Sequence, residues 1–513
     1  MALEGLPERK IKTLDEISLL AKGWKEDGRK IVHCHGVFDL VHLGHVRHLR
    51  SAKSYGDILV VSVTSDRFVK RGPGRPVFKE AYRAEALASL EVVDYVCILD
   101  FPTAVEGIKA IKPDFYVKGP DYKEKEKDLT GKIIEEEQAI KAHGGEIVFT
   151  EDITFSSSRL INNYLDAYPR ETLQYLKGIA EKYTVESIAD MLRGIDPLKI
   201  VIVGDAIIDQ YYYCSPMGKS SKASIVAQRY ESDENFAGGS LATANHVAQI
   251  CSNVRLISLL GEERSYGAFI NEMLNPYIET HFVKVPDAVT TVKRRYVELG
   301  TNTKLFEVCF LDDSGLSEEV EDDLLGLLSD TISEADVVIV SDFGHGMITP
   351  SVMETLCEKS HCLAINVQTN SANAGFNLVT KFRRADMVCI DERELRLALH
   401  DRYSPLKDLV VQVSDRLGCK LVIITRGKEG SLSYSKEEGF IATPAFAGSS
   451  VDIVGAGDAF FSYAAPCFAA GFPSDLIGLI GNAAGSIAVQ IVGNREPVKY
   501  VDLIKFIGRL LKV

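Results

Sequence analysis

The 513-residue chain is longer than one ordinary domain, and its 58 basic against 72 acidic side chains leave a formal charge of -14. Chains of this length usually divide into roughly two to four domains. The acidic balance argues against generic nucleic-acid or anionic-membrane binding but leaves room for local basic clusters that grip phosphorylated small molecules. Ten cysteines, at 34, 97, 214, 251, 309, 357, 362, 389, 419 and 467, include no C-x-x-C pair. They point to reduced thiols in a cytoplasmic setting rather than a disulfide framework or a zinc ribbon. The opening "MALEGLPERKIKTLDEI" lacks the apolar core of a signal peptide, and no apolar run is of membrane-spanning length.

Residues 1–29 read as an extension. From 30 to 165, β-rich runs alternate with helical patterns: "KIVHCHG", a helix from about Gly44, "GDILVVSVTSD", a helix over 79–91, "DYVCIL", "DFYVKG", a charged helix and "GEIVFT". Such alternation predicts a doubly wound parallel sheet covered on both faces. Residues 166–196 are polar and helical without a strand, and are assigned as a linker. The strand pattern restarts at "LKIVIVGDAIID" and runs through "DVVIVSD", "CLAIN", "DMVCI" and "KLVIITRG" to a helical region from 455. This predicts a second, larger α/β domain over 197–513. In "YYYCSPMGKSSKASIVAQRY" and "TTVKRRYVELG", β-branched and aromatic residues alternate with polar ones, as in a small antiparallel lid.

In "GVFDLVHLGHVRHL", His42, His45 and His48 recur every third residue. On a helix they would share a face, which leaves a metal site, an anion cradle or three unrelated histidines. The stretch lies where a strand passes through Gly36 into a helix, the place where open α/β sheets bind ligands. A helix N-terminus attracts phosphate through its unpaired N–H groups. No H-E-x-x-H spacing supports a metal.

His42-Leu43-Gly44-His45 with "GVFD" before it resembles the H-x-G-H signature of the cytidylyltransferase-like nucleotidyltransferases, over essentially all of 30–165. "RPV" with Arg83, "VKGPDY" and "TFSSSRLI" extend the likeness. It implies attack by a sugar phosphate on the α-phosphorus of ATP or CTP, with pyrophosphate leaving and no covalent intermediate. Catalysis then rests on positioning and on stabilising charge at phosphorus. The resemblance gives that role to His42 and His45. It places Gly36, Phe38, Gly44, Lys53, Lys118 and Ser156, Ser157 and Ser158 at the nucleotide, lets Asp39 orient the loop or help hold Mg²⁺, and leaves His48 structural.

"VDIVGAGDAFFSYAAPCFAAG" puts a glycine turn, Gly455-Ala456-Gly457, before a helix with Asp458 in its first turn. Small residues let backbone N–H groups approach an anion, and the carboxylate can take a proton from a hydroxyl attacking the γ-phosphate. No Walker P-loop occurs. With "VGDAIID" and "AGGSLATANHVA", the stretch resembles the PfkB/ribokinase carbohydrate-kinase family. That resemblance assigns Asp458 as base and Asp205, Asp209, Gly238, Gly239 and Asn245 to the sugar. It places Thr425, Gly427, Gly430 and Asn482 at ATP.

Several residues depart from the family pattern. The N-x-x-E element that organises Mg²⁺ and phosphate is Asp391-Glu392-Arg393-Glu394, so Asp391 and Glu394 become the metal candidates. Where heptose kinases of this kind carry lysines, this chain has Gln368 after Asn366-Val367, and His345 after Ser341-Asp342. Lys293, Arg294 and Arg295 on the lid are candidates for replacement charge; Lys293 and Asp342 join the substrate-binding set. Together the halves resemble a bifunctional heptose-phosphate-type kinase and nucleotidyltransferase, in reversed order. This implies Mg²⁺-dependent synthesis of a nucleotide-activated sugar through a sugar 1-phosphate, and a homodimer formed through the lid. A polyol-phosphate cytidylyltransferase fused to its kinase, or a sugar sensor without catalysis, are the other readings.

Overall fold

The structure, a computed structural model, describes residues 6–69, 75–119, 132–150, 168–219, 222, 224–312, 314–448 and 450–513. The chain forms two compact units: Met1–Pro169 with Gly508–Val513, and Arg170–Ile507. The polar stretch assigned as linker is helical from Arg170, and its helices Arg170–Lys182 and Val185–Arg193 belong to the second unit. There Lys182 and Tyr183 bind the Asp475 carboxylate and Tyr500 donates to Ala189 O.

Among the described residues the first unit holds one parallel sheet of β1 (Ile31–Gly36), β2 (Ile58–Thr64), β3 (Tyr95–Leu99), β4 (Phe115–Lys118) and β5 (Glu146–Phe149), in the order β3-β2-β1-β4-β5. All seven residues of β2 are buried, as expected of a strand covered on both faces. The order reverses between β1 and β4, so the loop after β1 opens at the switch point where ligands of such sheets bind.

Among the described residues the main sheet of the second unit has nine strands: β6 (Ile200–Gly204), β9 (Val254–Glu263), β10 (Glu279–Val289), β13 (Val337–Asp342), β14 (Leu363–Val367), β15 (Met387–Asp391), β16 (Leu421–Thr425), β17 (Ser431–Ser435) and β18 (Gly439–Thr443). Their order is β10-β9-β6-β13-β14-β15-β16-β17-β18, parallel except for the final hairpin strands. β7 (Ala206–Lys219), β8 (Val226–Gly239), β11 (Val292–Glu298) and β12 (Lys304–Phe310) form a separate sheet in the order β12-β11-β7-β8.

This sheet is the expected lid, with one correction: β11 pairs parallel to β7, so it is mixed rather than antiparallel. The chain leaves the lid after β8, passes through β9 and β10 of the main sheet, and re-enters in the direction of β7. Only a hairpin return would have forced antiparallel pairing.

Candidate active sites

In the first unit, β1 ends at Gly36 and the helix Leu43–Lys53 begins with His42 as its N-cap. The three histidines therefore do not share a helix face. Gly44 N donates to His42 Nδ1 at 3.1 Å, and His42 N donates to His45 Nδ1 at 3.4 Å. The two rings stack with centroids 3.9 Å apart. A neutral imidazole whose Nδ1 accepts carries its proton on Nε2, so both rings become Nε2–H donors. Burial holds the His42 pKa below its ordinary value.

The preceding loop is locked from behind. Phe38, at φ 50°, sets its buried ring edge-on to His45, centroids 5.3 Å apart. Asp39 pairs with Arg75 at 2.7 Å and accepts from Val77 N and Phe78 N. It ties two loops together, one of its two expected roles. The buried Arg83 guanidinium donates to Val37 O, Thr64 O and Asp66, a clasp that the sequence marked only as part of a resemblance.

Lys53 is corrected in position. It closes the helix that His42 opens, about 15 Å away at 1.5 Å per residue, and is paired with Asp94 at 2.5 Å. Lys118, at the end of β4, is buried against Glu136 at 2.8 Å. His48 bonds Thr150 Oγ1 at 2.9 Å. Ser156, Ser157 and Ser158 lie outside the described residues.

The second unit contains a cavity of about 950 Å³. Its floor is the turn Gly455-Ala456-Gly457 and the start of the helix Ala456–Ala469. Gly455 sits at φ 83°, where a Cβ would lie 2.1 Å from Asn494 Oδ1, so only glycine leaves this turn unstrained. Asp458 projects into the cavity from the first helical turn and accepts a hydrogen bond from Gln368 Nε2 at 2.7 Å. Burial pushes its carboxyl up to about 6, against the opposing hydrogen bond from Gln368.

The lid supplies one wall. Lys293 and Arg295 face the cavity, while Arg294 turns away to stack on Tyr212 and Phe310, as strand alternation requires. Arg295 is held by Asp209 and Glu307, so its charge is already matched. Lys293 is 9 % exposed, lies over the Phe343 ring and has no carboxylate partner among the described residues. Asp209 and Gly239 line the same wall. Gly238 lies behind them, where a Cβ would sit 2.3 Å from Asp209 Oδ2.

Asp391, Glu394, Thr425, Gly427 and Asn482 line the opposite side. Asp391 caps the helix Glu392–Ala398 by accepting from Glu394 N at 2.6 Å, and Glu394 accepts in return from Asp391 N at 2.9 Å. This is a capping box. Burial, and next the negative charge of Asp391, push the Glu394 carboxyl up to about 7. Neither carboxylate is in an ion pair among the described residues, and two hard carboxylates at the cavity suit Mg²⁺, which binds through one or two carboxylates plus substrate phosphates.

Besides Gly238, four expected contacts fall off the wall. Asn245 spans Met273 O and Asn275 N and so fixes a neighbouring turn. Gly430 sits behind the Thr425–Gly427 loop at φ 86°, with backbone too close for a Cβ. Asp205 accepts from Phe343 N and His345 N, while Asp342 pairs with Lys381 at 2.5 Å; both carboxylates hold the loop after β13 rather than line the large cavity. Burial raises both their pKa values. The sequence passed over Gln368 as a donor, because it read that position only as a lysine that was missing.

A parallel sheet carrying a β lid over a cavity, with a glycine turn and a buried carboxyl on its floor, defines a phosphotransferase of the sugar-kinase class. The chain belongs to the pfkB family of carbohydrate kinases, whose model matches residues 197–499. A cytidylyltransferase-like model matches residues 33–163. A Bifunctional protein HldE from Nitratiruptor sp. is 50% identical over 121 residues, covering 23% of this chain and 26% of the relative. Another from Geobacter metallireducens is 40% identical over 161 residues, covering 31% of each. These matches span about a quarter to a third of the relatives' length. Phosphofructokinase-2 from Escherichia coli shares the fold at TM-score 0.51 and 16% identity, covering 61% of this chain and 99% of that one.

Proposed function

We propose that the chain is a bifunctional enzyme of nucleotide-sugar synthesis. Its kinase unit phosphorylates a heptose-like sugar or sugar phosphate, at the anomeric hydroxyl, from ATP. Its first unit transfers a nucleotidyl group from ATP or CTP to the resulting 1-phosphate and releases pyrophosphate. One observation carries the kinase half: Asp458, its carboxyl raised to about 6 by burial, stands at a helix N-terminus on the floor of the cavity. A carboxylate so placed takes the attacking hydroxyl's proton while the backbone N–H groups of the turn receive charge from the γ-phosphate.

Asp391 and Glu394 would hold Mg²⁺, which when bound neutralises phosphate charge. Lys293, Asp209 and Gly239 hold the acceptor; Thr425, Gly427 and Asn482 border the nucleotide. In the first unit the Nε2–H groups of His42 and His45 and the N-terminus of the helix Leu43–Lys53 stabilise charge at the α-phosphorus. Gly36, Phe38, Asp39 and Lys118 shape that site.

The setting proposed is cytoplasmic, in keeping with ten free cysteines and with the lack, among the described residues, of a helix long and apolar enough to cross a membrane. The lid is proposed as the homodimer contact, because its outer face carries a row of aromatic rings.

The test is ³¹P NMR with Mg²⁺, ATP or CTP and a panel of heptoses, hexoses and their phosphates. A sugar 1-phosphate followed by a diphosphate is expected. Sugar binding without ATP turnover would overturn the reading.

A further inference from the structure

Gln368 follows β14 directly, between Asp458 and Glu394, two of the carboxylates that line the cavity. Its backbone is clamped on both sides: its N–H donates to Asp342 O at 2.8 Å, and its carbonyl accepts from Asn377 Nδ2 at 3.1 Å. The next amide, Thr369 N, donates to Glu394 Oε1 at 2.9 Å. Asn377 is held in turn by Lys381, which also pairs with Asp342. The side-chain amide of Gln368 therefore leaves a fixed backbone, and its nitrogen meets Asp458 Oδ1 at 2.7 Å. A carboxylate only accepts, so the amide must present its N–H₂.

We propose that Gln368 is the positioning residue of the kinase base: its amide ties down one oxygen of Asp458, so that the other points at the acceptor hydroxyl. The proposal rests on Asp458 as the base. In the reaction it describes, the hydroxyl oxygen bonds to the γ-phosphorus, the bond from that phosphorus to the β–γ bridging oxygen breaks, and the hydroxyl proton passes to the free oxygen of Asp458. Gln368 takes no proton. It lowers the energy of the ionised carboxylate by one hydrogen bond, and it does so without a charge. A cation at this place would hold the carboxylate so strongly that it became a weaker base. The neutral amide fixes its direction and leaves it basic.

The groups facing Asp458 are Asp209 on β7, Lys293 on β11, Cys389 on β15 and Glu394 on the helix that follows. Asp209 and Lys293 act in opposite directions, so the hydrogen bond from Gln368 is the strongest influence opposing burial.

The test uses the full chain labelled with ¹³C at the aspartate carboxyls, titrated without ligand, the Asp458 signal being the one absent from D458N. Its midpoint is expected near 6 in the unsubstituted protein. Gln368→Met removes the donor, and the midpoint should rise by about one pH unit, the equivalent of one hydrogen bond to a charged group. Gln368→Lys should lower it. If Gln368→Met fails to fold, Gln368→Leu, likewise without a donor or a charge, takes its place, and the midpoint should again rise. An unchanged midpoint in the folded variant overturns the proposal, since a merely structural glutamine would leave the titration where it was. Kinase turnover is measured separately in D458N. Full turnover there overturns Asp458 as base and the role of Gln368 with it, even where the titration moves.

Discussion

In the proposed reactions Asp458 and His45 meet charge of different kinds, and the residue types differ accordingly. Asp458 must accept a proton, so its carboxyl has to be ionised yet basic, and burial achieves this by raising it to about 6. Kinase turnover should therefore fall as pH drops through about 6, since protonation removes the base; a rate that stays flat down to pH 5 would contradict the assignment. Asp458→Asn should lower kinase turnover by about 10²- to 10⁴-fold and leave pyrophosphate release by the other unit unchanged. In the same proposal His45 donates from Nε2 to phosphoryl oxygens, its Nδ1 being taken up by the His42 amide. His45→Ala should lower nucleotidyl transfer by roughly 10²-fold or more, as lost oxyanion donors do, with kinase turnover retained. Joint loss of both activities in either variant would show that the two sites are not separate.

At the scale of elements, the loop between β16 and β17 turns on one backbone conformation. Gly430 takes φ 86° and ψ -128°, and a Cβ there would lie 2.0 Å from Thr443 O. Backbone cannot swing away as a side chain can, so Gly430→Ala should destabilise the kinase unit by roughly 2–4 kcal/mol. Its thermal transition should fall by several degrees, and an unchanged transition would refute the steric argument. The sequence marked this glycine as conspicuous but not as conformational, since a motif records identity and not φ. The strands with β-branched runs, such as "KIVIVG" and "KLVIIT", were legible because both faces are buried. β12, whose residues 305–309 are all exposed, carries no such signal and was not anticipated. His42 as an N-cap was hidden for a related reason: helix caps are ordinarily Ser, Thr, Asp or Asn. The cavity's floor and the wall lined by Thr425, Gly427 and Asn482 were legible in "GAGD" and its neighbours. The placements of Lys53, Asn245 and Gly430 were not, because each depends on a partner distant in sequence.

At the scale of the molecule, the lid poses a solvation problem that one copy of the chain leaves open. Phe306, Tyr296, Tyr212 and Tyr230 form a row of rings across all four strands, with successive centroids 4.4, 5.6 and 5.7 Å apart. Both ends of the row are open, Phe306 being 53 % and Tyr230 55 % exposed, with Val308, two residues along β12 from Phe306, also exposed. Strand alternation sends Lys293 and Arg295 to the cavity and turns this row to the opposite face, which no helix covers among the described residues. Apolar surface of this kind on a sheet is normally covered by a partner, and a second copy offers the matching face in a two-fold contact. Phe306→Asp places a charge in that row while leaving the cavity wall untouched. In light scattering the unsubstituted protein should have twice the chain mass and the variant should shift toward a single chain. Nucleotidyl transfer, which belongs to the other unit, should be unaffected. A single-chain mass for the unsubstituted protein, or a variant that stays dimeric, would mean that the lid is not the contact.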